Sequence, residues 1–107
     1  EKNYKEVVRQ SRNLLSVLDR ERLLIGISYL QQGEYLRAIS WLTRLAELEN
    51  NPYQQPAQFY LALTHLKNDD YDRAIEMMQY IIENENHIYK DRFTPQMVAD
   101  VRLLKWL

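Results

Sequence analysis

The sequence reads as an all-α protein of stacked helix pairs, and three observations lead there. A pattern, Ile25-Gly26-x-x-Tyr29 followed by Gly33-x-Tyr35-x-x-Ala38-Ile39, recurs 36 residues later as Leu61-Ala62-x-x-His65 followed by Asp69-x-Tyr71-x-x-Ala74-Ile75. Repeats of about this period belong to helical arrays rather than to catalytic pockets. Small residues hold matched places inside apolar runs, Gly26 with Ala62 and Ala38 with Ala74, as close approach of two helix backbones requires. Finally, apolar residues follow helical spacing along the chain, no strand signal appears, and there are only two glycines to interrupt helices.

Taken in order, residues 4–18 predict a first helix with an apolar stripe at Tyr4, Val7, Val8, Ser11, Leu14, Leu15 and Leu18. Its opening, Asn3-Tyr4-x-x-Val7-Val8, resembles Glu34-Tyr35-x-x-Ala38-Ile39, so it reads either as the second helix of an upstream unit or as a plain amphipathic cap. The start at Glu1, without an initiator methionine, favours a fragment of a longer protein. Asp19 is the expected N-cap of a second helix over 20–32, which Gly33 ends. A third helix is expected over 35–49. The cluster Asn50-Asn51-Pro52-Tyr53-Gln54-Gln55-Pro56 then makes a loop whose prolines stop one helix and start the next, over 56–67. Asn68-Asp69-Asp70 predicts a polar turn capping a helix over 71–84, and Thr94-Pro95 an N-cap with proline at the first position of a last helix, 95–106.

On these residues the chain resembles the tetratricopeptide family, whose pattern is an aromatic, Leu-Gly, Tyr, then Ala with a large apolar residue four positions on, and a closing Pro. The first unit matches at Ile25, Gly26, Tyr29, Gly33, Tyr35, Ala38 and Leu42; the second at Leu61, Ala62, Tyr71, Ala74 and Met78. It departs at His65 for Tyr, Asp69 for Gly, Arg22 and Gln58 for the aromatic, and Asn50 and Asn86 for the Pro, with a period two residues above the usual 34. The resemblance implies a right-handed helix-turn-helix superhelix with flanking N- and C-terminal helices. Residues 1–107 then form one domain: an N-terminal helix (1–18), a first repeat (19–52), a second repeat (53–88) and a C-terminal capping helix (89–107).

Composition narrows function by exclusion. At 107 residues and 46% apolar content the chain can bury a modest core. A net charge of −1 offers no basic field for a phosphate backbone, so nucleic acid is not an expected partner. The longest apolar run is far short of the roughly 20 residues that span a bilayer, and no leader pattern opens the sequence, so no membrane contact is expected of this segment. Without cysteine there is no disulfide or thiolate chemistry, and the compartment stays open: cytoplasm, or the envelope side of a membrane-anchored parent.

No catalytic constellation emerges. His65 occupies the repeat's Tyr position and reads as a packing residue, and His87 falls in a loop. Asp69-Asp70 precede a helix, where acids favour the N-terminal dipole without any chemistry. Phosphate-loop glycines and a serine in nucleophile context are both missing. The chain is therefore expected to be a non-enzyme with no metal and no cofactor.

Binding is the remaining function. In the family, first helices line the concave surface, which places Leu23, Ile27, Leu30 and Gln31, then Phe59, Leu63, Leu66 and Lys67, against a protein or peptide partner. Members that grip a peptide carboxylate use Lys, Arg and Asn there; this chain has mostly apolar residues, so no carboxylate clamp is expected. The structural positions of the repeat are Gly26, Tyr29, Gly33, Tyr35, Ala38, Ala62, Tyr71 and Ala74. Helix two is apolar nearly all round, so something covers it: the chain's own helices, a partner helix or a second copy. Trp41 and Tyr80 fall at the margin of the helix interface, where aromatics anchor partners or simply pack. Glu47, Glu49, Arg73 and Glu76 read as wet helix faces. The rival function is a spacer or self-associating end of a longer array, and the Pro52–Leu63 run resembles bacterial repeat modules attached to cell-envelope proteins.

Overall fold

A computed structural model describes residues 4–107. Five helices follow one another: α1 (Tyr4–Gln31), α2 (Tyr35–Ala46), α3 (Gln54–Lys67), α4 (Tyr71–Glu83) and α5 (Pro95–Leu104), with a single 3-10 turn at Lys90–Arg92. Each packs on the next in sequence, and α1 also touches α3. Among the described residues there is no strand, so the all-α expectation holds.

The two turns inside the pairs are the same structure twice. Gly33 (φ 78°) and Asp69 (φ 60°) both take the left-handed conformation. The Gly33 N–H donates to Leu30 O (3.1 Å) and the Glu34 N–H to Tyr29 O (2.9 Å); likewise Asp69 donates to Leu66 O (3.2 Å) and Asp70 to His65 O (2.9 Å). This crossed pair of bonds is the Schellman ending of a helix, which satisfies its last carbonyls while reversing the chain. Two of the N-caps predicted from sequence are present. Asp70 accepts from the Arg73 N–H, and Thr94 Oγ1 accepts from the Met97 N–H (3.1 Å) ahead of Pro95.

The break expected at Asp19 is absent, and α1 is a single helix of 28 residues, about 42 Å long. Spacing explains this. Eleven residues separate Leu14 from Ile25, whereas sixteen separate the corresponding Leu45 from Leu61, so the five residues that would form a loop are missing. With no proline or loop glycine between Tyr4 and Leu24, the helix runs on. Residues 4–18 are thus continuous with the first repeat and not folded back on it as a separate element.

Two apolar clusters make the core. The first gathers Leu23, Leu30, Ala38, Leu42, Leu45, Ala57 and Leu61; the second Phe59, Ala62, Ile75, Met78, Ile81, Phe93, Val98 and Val101. Repeat partners are buried in step: Ala38 with Ala74, Leu42 with Met78, Leu45 with Ile81. Tyr60, Leu63 and Met77 pack against both clusters and join them.

Candidate functional site

The apolar face assigned to partner binding is largely occupied by the chain itself. Leu23, Leu30 and Phe59 are buried in the core. Ile27, Leu63 and Leu66 are half-buried against it, and of the seven residues only Lys67 is exposed. The cover comes from loops. Tyr89 stacks on Phe59 with ring centroids 4.5 Å apart and planes at 13°, Phe93 lies 5.4 Å away, and the Arg92 guanidinium sits 5.5 Å over the Phe59 ring. One repeat earlier, Tyr53 packs against the cluster that holds Leu23.

Those loops are held by a polar device that also repeats. Asn51 Oδ1 accepts from the Tyr53 N–H (2.8 Å) while its Nδ2 donates to Asp19 Oδ2 (2.8 Å). Thirty-six residues on, His87 Nδ1 accepts from the Tyr89 N–H (3.1 Å), which leaves the ring proton on Nε2 to donate to Gln58 Oε1 (2.9 Å). Asp19 is therefore a buried brace from α1 to the α2–α3 loop, further fixed by Arg22 (2.8 Å). Gln58, 6% exposed, bridges two places at once, since its Nε2 also donates to Ala46 O (3.2 Å) at the end of α2.

Both histidines are buried. Burial lowers the pKa of His65; the Asp70 carboxylate opposes that shift and the Arg73 guanidinium adds to it. Its Nδ1 has no hydrogen-bond partner and lies 4.0 Å from Asp70 Oδ2, beyond bonding distance. Burial likewise lowers His87. Among the described residues, no group of three or more His, Asp or Glu is gathered where a metal ion would bind, and no helix is long and apolar enough to cross a membrane.

Open apolar surface lies elsewhere. Leu14, Val17, Leu18 and Leu24 are exposed on α1, Trp41 on α2, Tyr80 on α4, and Leu103, Leu104, Trp106 and Leu107 at the C-terminal end. A recess of about 240 Å³ opens between α3 and α4, lined by Gln58, Glu76, Met77 and Tyr80. A second, of about 140 Å³, lies between α4 and α5, lined by residues that include Gln79, Ile82, Val98 and Arg102. Sequence reasoning noticed Tyr80 but assigned Glu76 only to a wet face. The available signal was an aromatic and a methionine on the flank of α4 away from its stripe of Ala74, Met78 and Ile81. No family model, curated protein or solved structure matches this chain.

Proposed function

We propose that this chain is a non-catalytic protein-interaction module, a scaffold of tetratricopeptide-like helix pairs within a larger protein, that binds a protein or peptide. The observation carrying this reading is that large apolar side chains stand exposed on helices fixed by a repeated core: Leu14, Val17 and Leu18 on α1, Trp41 on α2, Tyr80 on α4. Exposed aromatics on a rigid frame favour binding because little side-chain or backbone freedom is lost on contact. Since Leu23, Leu30 and Phe59 are already covered, Leu63, Leu66 and Lys67 are at most the margin of the contact surface.

The test is affinity capture with the full-length parent as bait, wild type against a Trp41→Ala, Tyr80→Ala pair and a Leu14→Asp, Val17→Asp pair. Loss of a specific partner with an unchanged circular dichroism spectrum is expected for one pair. Capture of identical partners by wild type and both folded variants contradicts the reading. The rival, a self-associating spacer in a longer array, is favoured by the open apolar residues at both ends, Leu14 and Val17 on one side and Leu103, Trp106 and Leu107 on the other. Sedimentation equilibrium of the wild-type chain separates the two, because only the rival requires a concentration-dependent rise in mass.

A further inference from the structure

We propose that the recess between α3 and α4 is a subsite for one cationic side chain, lysine or arginine, of a peptide partner; this rests on the reading of the chain as a protein-binding module. At about 240 Å³ the recess falls below the roughly 300–1,000 Å³ of small-molecule pockets, a size suited to a single long side chain. Its lining is mixed in a particular way. Met77 packs against both core clusters and makes a fixed apolar wall. Tyr80, 50% exposed, contributes an aromatic side chain, and Glu76 an acidic one.

The neighbouring polar groups are already engaged. Gln58 gives its amide nitrogen to Ala46 O and its oxygen to His87, so both ends of this side chain are already engaged within the fold. Arg73, one turn before Glu76, is tied to Asp70 Oδ2 at 2.8 Å, and Lys105 is paired with Asp72. Among the described residues Glu76 makes no ion pair. An apolar side chain entering the recess would strip water from Glu76 and give nothing back. An acidic one would meet a like charge. A lysine or arginine matches every wall: its methylene stem lies along Met77 while its charged head sits between the Tyr80 ring and the Glu76 carboxylate.

The test selects random dodecapeptides displayed on phage against wild type and against Glu76→Lys, followed by calorimetric titration of the strongest wild-type peptide. Wild type is expected to enrich lysine or arginine at one peptide position, and Glu76→Lys to replace that preference with an acid. Glu76→Gln should weaken the chosen peptide roughly two- to fivefold, as should norleucine or citrulline in place of its cation, and the two losses should not add. Peptides selected without a cation, or unchanged affinity for Glu76→Gln with a wild-type circular dichroism spectrum, overturn the subsite and leave the binding module standing. A wild-type chain that selects no peptide at all overturns the subsite, while the binding module is judged by affinity capture.

Discussion

A methyl group placed on Gly26 would lie 2.7 Å from Leu42 Cδ2 and 2.8 Å from its Cγ, and Leu42 is fully buried and cannot swing aside. Close approach at this glycine was readable from its place in an apolar run that recurs with Ala62. Gly26→Leu should therefore lower stability by about 3 kcal/mol, the upper end of ordinary overpacking. A denaturation midpoint equal to wild type would contradict the close approach. Gly33 needs glycine for a different reason: a methyl group there would meet nothing within 4 Å, but its φ of 78° strains any residue bearing a Cβ. Gly33→Ala should cost about 1 kcal/mol. Asp69 bears that strain already at φ 60° and offsets it by accepting from the exposed Tyr71 hydroxyl (3.0 Å). Asp69→Gly should accordingly gain about 0.5 kcal/mol, since aspartate tolerates this region better than most residues. Thermal denaturation of the two variants, moving in opposite directions, is the measurement.

The helices and their turns could be read from the sequence because each depends on local signals: Gly33, Asp70, Thr94-Pro95. The contacts that brace the loops could not. Asn51 and His87 do the same work, but one accepts through an amide oxygen and the other through a ring nitrogen, so a comparison of residue types misses the match. The continuity of α1 was missed because Asp19 looks like a cap, while its carboxylate instead serves Arg22 and Asn51. Cover over the apolar face was expected from a helix or a partner; that Tyr89 and Phe93 supply it at Phe59 was missed for a related reason, since they sit in a segment without periodicity. The loop device also makes stability depend on pH. Protonating His87 at Nδ1 would displace the Tyr89 N–H, and burial already lowers the pKa of both His87 and His65 below the unfolded value near 6.5. The unfolded chain thus binds the proton more readily. The stability these two groups contribute is complete above about pH 6.5 and is lost as pH falls through their depressed folded-state values. Denaturant unfolding should show lower stability at pH 5 than at pH 7. His87→Asn, which copies Asn51, should flatten that slope, and an equal slope in the variant would assign the effect elsewhere.

Taken as a body, the chain has two clusters with a seam at Tyr60, Leu63 and Met77, and the seam decides what the apolar face of α1 and α3 is for. If Leu63 were open to a partner, a charge there would leave folding intact and abolish binding. Because it is half-buried between the clusters, a carboxylate at this position would lose much of its hydration. Several kcal/mol lost at a seam is a large share of the roughly 5–15 kcal/mol that holds a domain together. Leu63→Asp should therefore abolish most of the helical circular dichroism at 25 °C, whereas Leu24→Asp, on the exposed side of α1, should leave it nearly unchanged. The contrast matters because repeat proteins gain much of their stability at the interfaces between neighbouring units. A Leu63→Asp chain that keeps wild-type helicity would mean the seam is open, and would return this apolar face to the partner.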